Sequence, residues 1–259
     1  MHQLRQIIWV EWVKSRKSKV VWITFFAFTM LPLMGGFFMF VLKHPEFAEQ
    51  AGLLGAKAQL AGSADWPSYF MMLSQGIGIG GLFIFGFFTS WIFGREYTDR
   101  TVKDLLALPF PRTYVAIAKF IIVLLWSVLV TLWVACIGFL IGWMIGLPEW
   151  STEVLQHGLF VLSITSVLTI LLSTPVALFA CLGRGYLAPL GFVIITMILS
   201  QIIAAIGYGS YFPWAIPALF SNVNGGGNIL EVASVIVLLL TSSIGFIGTL
   251  GYWRYADQN

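Results

Sequence analysis

Residues 94–119 read GREYTDRTVKDLLALPFPRTYVAIAK, the densest run of charge in a chain that is otherwise largely apolar. Long hydrophobic stretches lie on either side. The second half of the segment carries a short helix signal. Thr101 can act as N-cap with Asp104 three residues on, a capping-box-like pair. Val102, Leu105 and Leu106 then fall at i, i+3 and i+4 and give one apolar stripe. Pro109 and Pro111 stop the helix. A helix this short is unstable alone in water, so the stripe is expected to dock against something.

Working outward, the composition says what surrounds this segment. Of 259 residues, 59% are hydrophobic and only 10% charged, and the mean hydropathy is +0.90. Soluble globular chains carry about 25% charged residues, so the deficit places this chain in lipid. The net charge of +3 is too small to point to nucleic acid. Cys136 and Cys181 both lie inside apolar runs and suggest neither a disulfide framework nor a metal site. The run from Val20 to Leu42 is longer than the apolar part of a signal peptide, and no small-residue cleavage site follows it, so it reads as a span that stays.

A span needs roughly 20 apolar residues. Six segments qualify, at about 20–42, 68–93, 115–146, 156–182, 187–206 and 229–252. The expected fold is therefore an all-α polytopic membrane protein, with 1–259 forming one transmembrane domain. Pro175 should kink the fourth span unless neighbours re-satisfy the freed carbonyl. Pro32, followed by Gly35 and Gly36, predicts a bend in the first.

Lys and Arg set orientation. Twelve of the 14 fall in the N-terminal segment, the 94–119 loop, the connection after span four and the tail; only Lys43 and Lys57 fall on the other side. Both termini and the 94–119 loop are thus expected in the cytoplasm. Residues 1–19 read as a helix at the cytoplasmic surface, with Leu4, Ile8 and Trp12 as its apolar stripe and a basic cluster at 14–19 suited to anionic headgroups. A basic flank that only fixes topology is the plainer alternative. Trp9, Trp12, Trp22, Trp91 and Trp253 on the inner side, with Trp66, Trp143, Trp150 and Trp214 on the outer, fit aromatic belts.

Residues 43–67 form an external connection without recognisable chemistry. In the second external segment, 211–220 (YFPWAIPALF) is apolar but too short to cross a bilayer. It reads either as a re-entrant piece or as an interfacial loop anchored by Trp214. Gly138, Gly142 and Gly146 in span three, and Gly76 and Gly80 in span two, give faces that allow close helix approach, first of all within one subunit. Phe83, Phe85, Phe87 and Phe88 would suit an apolar or amphipathic substrate, but the expected reading is that they face lipid.

Some chemistry is missing. Ionisable groups inside a bilayer mark ion pathways, and here Lys119, Glu153, His157 and Glu231 sit at span ends. That disfavours a proton-coupled transporter. No HExxH, GxSxG or GxxxxGK[ST] pattern occurs, and Gly183-Arg184-Gly185 reads as a tight turn. The chain is not expected to be an enzyme and holds no cofactor or metal site. If it moves something uphill, the energy comes from another chain.

The pattern Glu96-x-x-x-x-Thr101-x-Lys103-x-Leu105-Leu106-x-x-Pro109-x-x-Arg112, closed by Lys119, between spans two and three of six, resembles the permease subunits of ABC-2 type ABC transporters. In topology the resemblance covers the whole chain; in sequence it is specific only at 95–119. It implies that the loop contains a coupling helix seated in a separately encoded cytosolic ATPase, which would carry ATP and Mg. It also implies a pair of permeases, a homodimer first of all, in a bacterial cytoplasmic membrane. Permeases of this size are similar to those of peptide-antibiotic resistance and lantibiotic immunity, so export or membrane extraction of an apolar or amphipathic substrate is expected. Sodium efflux and metal-enzyme maturation are alternatives within the family; a stand-alone secondary transporter and a membrane sensor or scaffold lie outside it. Where family members commonly have Gly before the Thr, this chain has Arg100, which predicts a slightly different turn into the helix. The ATPase-coupling residues are Glu96, Arg100, Thr101, Val102, Lys103, Asp104, Leu105, Leu106 and Arg112. Val102, Leu105 and Leu106 would supply the buried contact, and Glu96 would cap the loop or pair with Arg112.

Overall fold

The structure, a computed structural model, describes residues 2–44, 46, 63–102, 111–221 and 231–255. Helices make up most of these residues, in the order α1 (His2–Arg16), α2 (Lys19–Lys43), α3 (Trp66–Thr98), α4 (Arg112–Ile145), α5 (Thr152–Leu171), α6 (Ser173–Leu182), α7 (Leu187–Ala205), two 3-10 turns (Gly209–Tyr211 and Pro213–Ala215), α8 (Ile216–Ser221) and α9 (Val232–Tyr255). Six membrane-length spans result, α5 and α6 together making the fourth.

Helix α3 is the axis of the bundle. Asp65 caps it by accepting the Ser68 N–H at 2.8 Å, with Pro67 in the first turn where its missing N–H costs nothing. From there α3 packs against α2, α4, α5, α6, α7 and α8. Leu73, Ile77, Phe85, Phe88, Ile92 and Phe93 are wholly buried along it. Phe85 and Phe88 therefore do not face lipid. Phe85 stacks on Phe28 at 5.4 Å between ring centroids and Phe88 on Trp126 at 4.0 Å, while Phe83 alone of these is exposed.

The two prolines behave differently. Pro32 lies inside an unbroken α2 whose Gly35 and Gly36 face Met72 and Ile141, so those glycines are packing positions and make no break. At Pro175 the fourth span does break, α5 ending at Leu171 and α6 starting at Ser173. The carbonyls near the break are re-satisfied locally: Ser173 Oγ donates to Ile170 O at 2.7 Å, and Thr174 Oγ1 lies 2.9 Å from Leu171 O and 2.8 Å from Ser242 O of α9. Gly245 of α9 crosses so close that a Cβ there would sit 2.3 Å from the Pro175 nitrogen. Only glycine fits.

The segment before the last span folds back into the bundle. Ala215, Ile216 and Pro217 are buried, and the Ala218 backbone rests on Gly78, about 18 Å along α3 from its first residue. Ser234 Oγ donates to Ser210 O at 2.8 Å, tying the segment to α9. Gly138 and Gly142 of α4 receive Leu73 and Trp66 of α3, an approach within the subunit.

Helix α1 packs along α4, with Ile8 and Trp12 half-buried against the core. The most buried line is one register step away from the expected stripe: Ile7, Glu11 and Ser15, with Glu11 1% exposed. A carboxylate occupies the centre of the contact.

Candidate functional site

The last turn of α3 carries Arg95 and Glu96, the second turn of α4 carries Lys119, and the packed face of α1 carries Glu11. These four side chains meet inside the protein at the roots of the 94–119 loop. Lys119, with no exposed surface, places Nζ 3.0 Å from Glu96 Oε1, 3.3 Å from Glu11 Oε2 and 3.1 Å from Ile92 O, so all three of its N–H donors are used. Arg95 Nη2 donates to Glu11 Oε2 at 2.5 Å, and its guanidinium lies 4.6 Å over the Trp91 ring. Lys14, half in solvent, reaches Glu96 Oε1 at 3.2 Å.

Burying charge is expensive unless every ion is paired and hydrogen-bonded. Here two carboxylates face Arg95 and Lys119, with Lys14 at the rim, and the cluster joins three helices that are distant in sequence. Its content is positional. It fixes α1, the end of α3 and the start of α4 to one another at the base of the loop.

The exit of α3 adds a second constraint. Thr101 N–H donates to Glu96 O at 3.0 Å and Arg100 N–H to Tyr97 O at 3.2 Å, the two bonds of a Schellman cap. That cap needs a left-handed residue, and Arg100 supplies it at φ 57°. The expectation of a different turn is thus corrected: the turn is the glycine-type one, made by arginine against its preference. Thr101 Oγ1 donates to Glu96 Oε2 at 2.5 Å, so the hydroxyl is tied back to the cluster. The same construction closes α6, where Arg184 is left-handed at φ 47°, with Gly185 N–H on Ala180 O and Arg184 N–H on Cys181 O, both at 3.3 Å. That turn rests on Gly94, and Ser90 Oγ donates to Tyr186 O at 2.8 Å. Trp253 Nε1 donates to Cys181 Sγ at 3.3 Å and brings in the end of α9.

Of the residues expected to couple, Glu96 is buried at the centre of the cluster, Thr101 bonds to it, Val102 is buried, and Arg100 and Arg112 are exposed. Glu96 does not pair with Arg112; Lys119 and Lys14 take its carboxylate instead. Lys103, Asp104, Leu105 and Leu106 lie outside the described residues, and with them most of the expected coupling helix. Sequence reasoning missed Glu11, and it took Lys119 as a topology marker and the close of the loop pattern, not as a buried ion-pair partner. The available signal was that Glu11 is the only acid in α1 and sits four residues after Ile7, on the packed face.

Six membrane-length helices, no strand among the described residues, and a charged loop rooted in a buried ion cluster define a multi-pass membrane subunit of the permease kind. Comparison with known proteins makes this specific. Residues 7–200 match the family described as ABC-2 family transporter protein, and the chain belongs to it. It is also 29% identical over 180 residues to the bacitracin transport permease protein BCRB of Bacillus licheniformis, an alignment covering 68% of this chain and 85% of that protein. The chain is an ABC-2 type permease, a transmembrane transporter subunit. The matched region contains Glu11, Arg95, Glu96 and Lys119.

Proposed function

We propose that this permease couples ATP hydrolysis on a separate cytosolic ATPase to the export, or extraction from the membrane, of an amphipathic substrate. The observation that carries the reading is the anchoring of the 94–119 loop. Its two roots are joined directly by Glu96 and Lys119, and Glu11 ties α1 to the same point. A push on this loop moves α1, α3 and α4 together. A loop that served topology alone would need neither the cluster nor the apolar stripe of Val102, Leu105 and Leu106.

In this reading the cluster end of the bundle faces the cytoplasm, supported by the Lys and Arg asymmetry. ATP and Mg bind to the partner. Two permease copies assemble with two ATPases, and the cationic exposed side of α1 lies among anionic lipid headgroups. A peptide antibiotic is the favoured substrate, because the bacitracin permease relative is aligned over most of its length.

The test is reconstitution in vesicles with the ATPase that copurifies. Bacitracin-stimulated ATP hydrolysis with vectorial peptide movement supports the proposal. Peptide movement driven by an ion gradient without ATP overturns it.

A further inference from the structure

At the end of the bundle opposite the ion cluster, the first turns of α3 and α5 enclose a cavity of about 280 Å³ closed at one side by Ser221, the last residue of α8. Its walls are apolar, from Phe70, Met71 and Val161. Two hydroxyls in the lining are already committed: Ser74 Oγ donates to Phe70 O and Ser221 Oγ to Ala218 O, both at 2.8 Å. The interior therefore offers a ligand no free hydroxyl donor. Glu153 and His157 stand on the rim, one turn apart on the same face of α5 and both exposed. Among the described residues Glu153 forms no salt bridge. Trp66 precedes the cavity on α3 and Trp150 precedes it on the approach to α5, so the rim lies at the depth of an interfacial aromatic belt.

We infer that this cavity is a binding site for an amphiphile bearing a protonated amine. The apolar body fills the space against Phe70, Met71 and Val161. The ammonium donates to the Glu153 carboxylate, with the His157 ring beside it on the rim. The rim supplies acceptors, which favours an ammonium that carries N–H groups over a quaternary one. A net anionic ligand is repelled by Glu153. The inference rests on this cavity alone and stands whether or not an ATPase engages the opposite end. The site sits on α3, whose far end holds Glu96, so an occupant here touches the helix that roots the charged loop.

The experiment is photolabelling of the purified permease in phosphatidylglycerol nanodiscs with a diazirine-bearing dodecylammonium, against the same probe ending in a hydroxyl. Labelling of 67–74 and 153–161 is read by peptide mass spectrometry relative to α9. The expected result is saturable labelling of both segments by the ammonium probe only, with half-saturation raised about tenfold in Glu153→Gln by loss of one charge-assisted contact. Met71→Trp, which fills the cavity, should abolish it; Glu153→Gln, at an exposed position, keeps the test decisive if that variant fails to fold. Displacement by phosphatidylethanolamine identifies a lipid as the source of the ammonium, and displacement by bacitracin identifies a peptide. Equal labelling by the two probes, or an unchanged half-saturation in Glu153→Gln, overturns the inference.

Discussion

Lys119 Nζ lies 3.0 Å from Glu96 Oε1, and the two residues are the opposite roots of one loop. The pair is wholly enclosed, so neither charge has water to fall back on. Removing Lys119 leaves two buried carboxylates to share Arg95 and the half-exposed Lys14, and losing one partner of a buried pair costs up to about 3–5 kcal/mol. Lys119→Met should accordingly lower the thermal unfolding midpoint in detergent sharply. The double variant Lys119→Met with Glu96→Gln should recover a large part of the loss, because it removes both charges. No recovery would mean that the cluster is not an ion-pair unit.

Glu11→Gln separates anchoring from overall stability. It leaves Lys119 on Glu96 but strips the carboxylate that Arg95 Nη2 and Lys119 share across α1. Helix α1 should loosen while the spans hold. Hydrogen exchange over residues 2–16 should rise by at least about tenfold, the loss of one charged hydrogen bond at 1.5–3 kcal/mol, with α4 beyond Ile122 unchanged. Uniform change across both would contradict a local anchor.

Arg100 pays a conformational penalty that glycine would not. A left-handed L-residue costs roughly 1–2 kcal/mol, and the added chain entropy of glycine offsets part of the gain. Arg100→Gly should therefore stabilise the permease by on the order of 0.5 kcal/mol, and Arg100→Val should destabilise it by more. The measurement is the shift in thermal midpoint, and a destabilised glycine variant would contradict the cap.

The break at Pro175 makes a paired prediction. Thr174→Val removes the hydroxyl that lies near both Leu171 O and Ser242 O and should cost about 1–3 kcal/mol. Gly245→Ala should cost more, since its Cβ meets backbone that cannot turn aside. Equilibrium unfolding of the two variants compares them, and a harmless Gly245→Ala would show that α9 is not pressed against the break.

Much of this fold was legible because lipid demands length and apolarity, and both are local. All six spans are where their apolar runs place them. Which face of each span turns inward was not legible, because helices apolar on every side carry little directional signal. Phe83 and Phe85 look alike in sequence, and one is exposed while the other is fully buried. The ion cluster was hidden for another reason. Glu11 and Arg95 are 84 residues apart, and their pairing exists only once α1 has packed on the bundle. The cap at Arg100 was hidden because the residue there argues against the conformation it adopts.

The most direct test of the central claim, that an ATPase grips the 94–119 loop and drives the bundle through it, is the yield of copurified ATPase and the peptide transported per ATP for Leu105→Asp beside wild type in the same vesicles. The account predicts that Leu105→Asp loses most of the ATPase and uncouples what remains, with the permease itself folded and inserted. Normal copurification together with an unchanged transport-to-hydrolysis ratio would contradict it.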